Sequence, residues 1–405
     1  MNGSAVELLD IAARWIHVIA GIMWAGNSLL FNWLDRNLQK RPDTTTQSEG
    51  ASGYIGDIWL LHSGAFYYVE KTLLGTRKLP VPLHWFKWQA YTTWLTGAAL
   101  LLIVYYAGGR AVLAGSTVSM SHATAVAVSA GAIVVGWALY ETMQRLVAPH
   151  SPIVANAIWI VSLMAISVTL TQLLDGRAAF LHTGAMLGTI MAANVFFTIV
   201  PSQRELVASV AEGRGASPIV SARAKRVSVH NNYFTFPVIV LMLSSHFPTL
   251  YGNRYSWLLL LVVIITGAAV RHILNVRFVT PSWRPALAVT MVTSMALLWV
   301  VQRAGEGERA VVTDNRSAPV TFAEARRVID RRCAACHSSS PSDVTFGIAP
   351  AGVRFDTPEQ IAALALRIRE RAVVTRTMPP ANKTRITDDE RALLGRWVAA
   401  GAVAR

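Results

Sequence analysis

The five residues Cys333-Ala334-Ala335-Cys336-His337 contain the chain's only two cysteines. Two thiols separated by two residues and followed at once by an imidazole form an attachment site for a c-type haem. Each thiol adds to a vinyl group, and the histidine binds the iron from one face. A structural zinc site would need two more ligands at similar spacing, and no other Cys or His follows His337. A redox dithiol would need βαβ surroundings, which the flanking sequence lacks. The second axial ligand is expected on a separate downstream loop. Met378, in Thr377-Met378-Pro379-Pro380, is the only methionine after residue 320, and the two prolines keep its loop out of a helix. A thioether opposite an imidazole raises the reduction potential, so this haem is expected to accept electrons rather than activate oxygen.

Short helices must hold these ligands. Thr321 with Glu324, Thr357 with Gln360 and Thr387 with Glu390 have the spacing of reciprocal N-terminal caps, and Pro358 suits the first helical position. In the last helix Leu393, Leu394 and Trp397 share a face, and Gly401 can end it. Residues 320–405 therefore read as a small class I-like cytochrome c domain. Its core is too small to be self-sufficient, and the attached haem supplies much of it.

Upstream the composition changes. The chain is 53% hydrophobic and 15% charged, and residues 1–302 contain eight apolar runs long enough for a bilayer of about 30 Å. They fall at 8–33, 88–107, 121–141, 153–174, 179–200, 228–247, 255–276 and 283–302. Buried helices of a soluble protein would need longer loops to cover such surface. The fold class is thus all-α: a polytopic membrane helix bundle of about eight spans, a polar tether over 303–319 with two glycines, and the cytochrome domain. Gly184 and Gly188 form a small-xxx-small pair for helix packing.

Lysine and arginine counts set the topology. The odd connections hold fifteen (Arg36, Lys40, Arg41, Lys71, Arg77, Lys78, Lys87, Arg145, Arg204, Arg214, Arg223, Lys225, Arg226, Arg277, Arg284) and the even ones three (Arg110, Arg177, Arg254). The odd loops are expected in the cytoplasm, with both termini and the haem domain in the periplasm of a bacterial inner membrane. The first span directs export without a cleavable signal. Topology then explains most of the net charge of +14, and the spans argue against nucleic-acid binding. Residues 303–405 carry 17 basic and 12 acidic residues, which permits docking to an acidic redox partner.

Ionisable side chains at membrane depth are costly and usually functional. On this topology His17, His122, His182 and His246 lie towards the periplasm, and His62, His84, His230 and His272 towards the cytoplasm. His230-Asn231-Asn232-Tyr233 and Arg271-His272 are the densest polar clusters. Two chemistries compete for the histidines, with ordinary interhelical hydrogen bonding as the background. Paired imidazoles on facing helices can hold non-covalent haem. Alternatively, with Arg271, Arg14 and the asparagines, they form a pocket that grips a planar anion and takes its protons.

Trp15-Ile-His17-Val with Trp24-Ala-Gly26, Trp85-Phe-Lys-Trp88, Gly176-Arg-Ala-Ala-Phe-Leu-His182, Ala193-Asn194-Val-Phe-Phe, His230-Asn-Asn-Tyr233 and Arg271-His272 resemble the bacterial membrane-bound urate oxidases that end in a cytochrome c domain. The resemblance covers nearly the whole chain and includes the domain order. His62-Ser-Gly-Ala-Phe-Tyr-Tyr68 is similar too, but a second histidine expected near Tyr68 is missing, which weakens a role for His62. The resemblance implies oxidation of urate to 5-hydroxyisourate, with electrons leaving through the c-type haem to a soluble cytochrome c or terminal oxidase. Urate is a planar anion suited to Arg and Asn donors and to aromatic stacking.

His230, Asn231, Arg271 and His272 are then the residues expected to bind substrate or move its protons. Substrate on the cytoplasmic side would leave electrons to cross the hydrocarbon. One or two b-type haems, with His17, His182 and His246 as ligands, would bridge that gap; substrate bound on the periplasmic side would need none. The alternative activities are a respiratory protein oxidising quinol or another small substrate, and a non-enzymatic membrane sensor that reports through its haem.

Overall fold

A computed structural model describes residues 3–40, 54–72, 82–107, 113, 115, 120–214, 217–310, 320–343 and 348–404. Arg41, Arg77, Lys78 and Arg110 of the charge pattern, and residues 311–319 of the expected tether, lie outside the described residues.

Helix α1 runs over Gly3–Asn37. A hairpin of β1 (Tyr54–His62) and β2 (Ala65–Thr72) follows. Helix α2 (Trp88–Leu100) continues through a wider π turn, Leu101–Tyr106. Then come α3 (His122–Thr142), α4 (Pro152–Leu173), α5 (Gly176–Asn194), α6 (Val200–Ala211), α7 (Pro218–Leu243), α8 (Ser256–Val276) and α9 (Trp283–Ala310). Local signals set several starts. The Ser121 hydroxyl accepts from Thr124 N ahead of α3, Ser151 precedes Pro152 at the first position of α4, and the Asp175 carboxylate accepts from Arg177 N at α5.

Among the described residues six helices are long and apolar enough to cross a membrane: Leu8–Asn37, His122–Val147, Pro152–Leu173, Gly176–Ala211, Ser256–Val276 and Trp283–Ala304. Each overlaps an expected span. The other two expected spans are also helical, but α2 is short before its π turn and α7 carries Arg223, Lys225 and Arg226 in its first half.

Two features refine the expected architecture. The chain is mostly helical rather than all-α, because β1 and β2 pair antiparallel from Tyr54 to Thr72. Ser63 and Gly64 both have positive φ, 52° and 76°, the turn whose twist matches that of the strands. The flanking Ile58, Trp59, Tyr67, Tyr68 and Val69 favour strand. The Tyr54 and Tyr68 hydroxyls donate to Asp57 Oδ2 at 2.9 and 2.7 Å, and the Asp57 backbone bridges to Gln39 just beyond α1. Secondly, α9 continues to Ala310, eight residues past the end of the last expected span.

The bundle is built around α5, which is buried along most of its length. Phe180, Met186, Leu187 and Ile190 of α5 pack with Tyr140, Trp159, Leu241, Leu259 and Leu260. Helix α7 lies between α5 and α8, α1 lies along α2, and α9 covers α8. The α7–α8 approach is close: a Cβ on Gly267 would stand 2.7 Å from the Pro237 nitrogen. Of the small-residue pair, Gly184 packs on Leu241 and Met242, and Gly188 faces open space. The outer helices expose Leu8, Trp15, Ile22, Val292, Met295 and Trp299, a surface suited to lipid rather than water.

Beyond residue 320 the helices are α10 (Phe322–Arg332), α11 (Pro358–Ala363), α12 (Ala365–Ile368), a π turn at Arg369–Val374, and α13 (Asp388–Ala399). All three expected capping boxes form. The terminal helices α10 and α13 cross, with the Phe322 and Trp397 rings 6.0 Å apart. Ile329, Ile361, Ile368, Leu394 and Trp397 form the core beneath them. Gly401, at φ 93°, stands where the left-handed turn ends α13.

Candidate functional site

The thiol pair sits where α10 ends. Cys336 N and His337 N both donate to the Cys333 carbonyl, at 3.2 and 3.0 Å, and this tight turn gathers both thiols and the imidazole. Burial pushes the Cys333 thiol up to about 12 and raises that of Cys336 as well. Neither is the thiolate that a dithiol exchange centre needs. His337 donates Nδ1–H to the Val353 carbonyl at 3.0 Å, which leaves Nε2 as the free nitrogen. A carbonyl behind the imidazole is the usual partner of a metal-bound histidine. Burial holds the His337 pKa below the ordinary value, against the opposing effect of the Val353 carbonyl, so the ring is neutral at pH 7, as ligation requires.

Met378 is fixed by its backbone: its N–H donates to the Arg371 carbonyl at 2.9 Å, and its carbonyl accepts from Arg391 Nη1 at 2.8 Å. Arg391 is itself buried and also bonds the Ala372 carbonyl. Two thiols, an imidazole with a free Nε2 and one thioether on a braced loop fit a covalently attached haem.

The membrane module holds two polar patches on either side of α7. On the α3/α5 side, Asn231 Nδ2 donates to the Met191 carbonyl at 3.0 Å. That turns its Oδ1 towards Asn194, whose Nδ2 donates to it at 2.9 Å and to the Tyr140 hydroxyl at 3.0 Å. Since the Tyr140 oxygen accepts from Asn194, its own proton goes to His230 Nδ1 at 2.9 Å. Each step fixes the next.

On the α8 side Arg271 is buried, 1% exposed. Its Nε donates to Asn232 Oδ1 at 3.0 Å and its Nη2 to Ser28 Oγ at 3.3 Å, and the Phe236 ring lies 5.3 Å from the guanidinium. Asn275, one turn on, also donates to Asn232 Oδ1 at 2.7 Å, while its own Oδ1 is buried without a hydrogen bond. Among the described residues none of these partners of Arg271 is a carboxylate. A buried guanidinium is normally paired with an anion. Here neutral groups orient it and leave donors free, beside an unused amide acceptor.

His230 and Asn231 therefore face one side of α7 and Arg271 the other. His272, next to Arg271 in sequence, is exposed and bonds the Tyr233 hydroxyl at 2.7 Å. Arg14 pairs with Asp10 at 2.8 Å, away from Arg271. Sequence reasoning did not single out Tyr140, Ser28 or Asn275. Only Asn275 carries a usable signal, the i, i+4 spacing that puts it on the Arg271 face.

The other histidines occupy separate levels. His182 is fully buried, donates Nδ1–H to the Ala178 carbonyl at 2.8 Å, and has no partner for Nε2. The Tyr105 ring stands 5.2 Å away and that of Tyr106 5.8 Å. This again is the posture of a metal ligand. His17 donates to the Thr93 carbonyl at 2.9 Å and lies against Gly97, where a Cβ would come within 3.0 Å of its ring. Trp94 bonds Thr189 at 3.2 Å, so His17 is level with Thr189, seven residues or about 10 Å along α5 from His182. Two nitrogens on one iron stand about 4 Å apart. His17 and His182 therefore fit separate centres. His246, in the turn after α7, is exposed. His62 and His84 are exposed too, and His122 donates to the Tyr106 carbonyl at 2.7 Å.

A mostly helical bundle with membrane-length apolar helices, a buried unpaired guanidinium and a separate thiol-bearing unit defines the class. Within it, residues 3–302 match the family described as urate oxidase N-terminal, and the chain belongs to that family. No curated protein and no solved structure matches the chain.

Proposed function

We propose that the protein is a membrane-bound oxidoreductase that converts urate to 5-hydroxyisourate and passes the electrons to a respiratory acceptor, a soluble cytochrome c or a terminal oxidase. The observation that carries this reading is Arg271: a buried cation oriented by neutral amides and lacking a carboxylate is built for an anionic ligand. Asn275 Oδ1 beside it suits a ring N–H, and Phe236 supplies a wall for a flat heterocycle. Family membership supports urate as that ligand.

Arg271 holds the urate monoanion, and Asn232 fixes the guanidinium in register. The Met191–Asn231–Asn194–Tyr140–His230 chain stiffens α7, so Asn232 is positioned by residues on the opposite face of the same helix. Addition of water gives neutral 5-hydroxyisourate, one proton and two electrons. His272, next to Arg271 and bonded to Tyr233, carries the proton out. Arg271 is five residues, about 8 Å, from the end of α8, the end that the loop charges assign to the cytoplasm. Cys333, Cys336, His337 and Met378 hold the c-type haem, which supplies one-electron acceptance when bound. Both termini are then periplasmic, and residues 320–404 work on that side of a bacterial inner membrane.

The test is spectral: purified protein is mixed anaerobically with urate and, in parallel, with a quinol. Reduction by urate alone supports the proposal. Reduction by quinol alone replaces it with the respiratory alternative, and reduction by neither leaves a sensor.

A further inference from the structure

The thiol-bearing unit touches the membrane module at the turn Pro248–Tyr251 and Gly252 that lead into α8. A Cβ on Gly252 would stand 2.5 Å from Thr375 Cβ and 2.8 Å from the Thr375 carbonyl oxygen. A side chain at 252 would have to push Thr375 back, by more the larger it is. Beside it Arg371 Nη1 donates to the Tyr251 hydroxyl at 3.4 Å. We propose that this contact, Tyr251–Gly252 against Arg371–Thr375, is the port through which electrons leave the membrane module for the covalently bound haem. The inference rests on the function proposed above and adds the place of transfer.

Two features make the contact more than packing. On the outer side, the docked segment is bonded directly to the Met378 loop: Met378 N donates to the Arg371 carbonyl at 2.9 Å, and the Thr375 and Thr377 hydroxyls are 3.1 Å apart. The segment presented to the membrane module is thus hydrogen-bonded to the loop that carries Met378. The π turn at Arg369–Val374 brings Arg371 and Thr375 to that face together. On the inner side, Tyr251 is buried and its ring lies 6.5 Å from that of Phe180. His182, with its unpartnered Nε2, is two residues further along the same helix. Tyr251 contacts Phe180, and from there the α5 backbone leads to His182, whose ring lies on another face of that helix against Tyr105 and Tyr106. Electron tunnelling decays exponentially with distance, so this contact governs the rate. The haem held by Cys333, Cys336, His337 and Met378 would accept one electron at a time, so each urate, which takes its new oxygen from water, would give up its two electrons through the port in two transfers.

The experiment uses full-length protein in membranes. In a Gly252→Cys, Thr375→Cys pair the two segments need part by only about 1 Å to reach disulfide spacing, so mild oxidation should form the bond, detected as a module that stays attached after proteolysis of the connecting segment. A control pair, Gly252→Cys with Ser339→Cys, should not cross-link. In Gly252→Trp the covalent haem mass and its reduction by dithionite should match the parent. Its urate-driven reduction should fall roughly a hundredfold, the scale on which displaced reaction partners lose rate. A cross-link no better than the control, or parental urate-driven reduction in Gly252→Trp, overturns the port. If the parent itself is not reduced by urate, the functional reading fails first, and the cross-linking result shows whether the contact exists apart from it.

Discussion

Replacing Arg271 with methionine separates a ligand-binding role from a structural one, because the two predict opposite signs. The guanidinium is 1% exposed and its hydrogen-bond partners among the described residues are Asn232 Oδ1 and Ser28 Oγ, both neutral. Methionine keeps the volume and removes a charge that has no buried counter-ion. Asn232 Oδ1 keeps its bond from Asn275 at 2.7 Å, so no acceptor is stranded. Unliganded stability should stay level or rise by about 1–2 kcal/mol, the direction seen when buried charges give way to apolar groups. Urate should bind more weakly. Charge-assisted hydrogen bonds contribute about 1.5–3 kcal/mol each. Losing the fork should therefore cost about 2–4 kcal/mol, roughly 30- to 700-fold in affinity. The assay is thermal unfolding of detergent-solubilised protein with and without urate. The parent should gain about 2.7 kcal/mol at a hundred times its dissociation constant, and Arg271→Met should gain less than about 1 kcal/mol at that concentration. A variant that loses stability yet keeps its urate-induced shift would show that Arg271 is structural.

Tyr140→Phe removes the proton that fixes His230 and strands an Asn194 donor; we expect a stability loss of about 1–3 kcal/mol and slower urate turnover, measured by unfolding and by urate consumption. Met378→Ala should leave the haem attached and lower its midpoint potential, read by spectroelectrochemistry, and an unchanged potential would reassign the second ligand. Cys333→Ser with Cys336→Ser should abolish the added tetrapyrrole mass and destabilise residues 320–404. Glu390 is partly buried, which by itself raises its pKa, but its bonds from Arg332 and Thr387 hold the carboxyl below the ordinary range. A depressed carboxylate stabilises the fold above its unfolded pKa of about 4.3 and loses that contribution as pH falls through the folded value. Acid titration of Glu390→Gln should accordingly show a shallower stability loss below about pH 4.

The helices and their caps were legible because each rests on short-range signals: Thr321, Thr357 and Thr387 each cap an N-terminus with the partner three residues on. The hairpin needed a different signal. Residues 54–72 are too apolar for a typical loop, and only Ser63-Gly64 between aromatic and β-branched residues marks a turn of strands. The candidate binding residues were half legible. Arg271 and the His230–Asn232 run stand out because polar groups are rare within apolar spans. Their division across α7 follows from the roughly 100° between successive helical residues, which a list of neighbours in sequence conceals. Tyr140 and Ser28 could not be singled out, because a lone Tyr or Ser in a span is unremarkable until another helix brings a partner to it.

Depth along the bundle bears on one further expectation. Asn194, joined through Asn231 to the helix that carries Asn232, marks the level of Arg271, and His182 lies twelve residues away on α5, about 18 Å along its axis. An electron released beside Arg271 must cover that span before it can reach Phe180 and Tyr251. Side chains alone make a slow path over such a distance. His182, with a buried Nε2 and no hydrogen-bond partner, and His17, about 10 Å deeper by helix rise, lie between those two ends. We expect purified protein that urate can reduce to show b-type haem in addition to the covalent c-type in a pyridine haemochrome spectrum. His182→Ala should lose part of the b-type signal and leave the c-type signal intact. A pure c-type spectrum from protein that urate reduces would remove any haem role for His182, and would move the substrate to the periplasmic end, within reach of Tyr251 and away from Arg271.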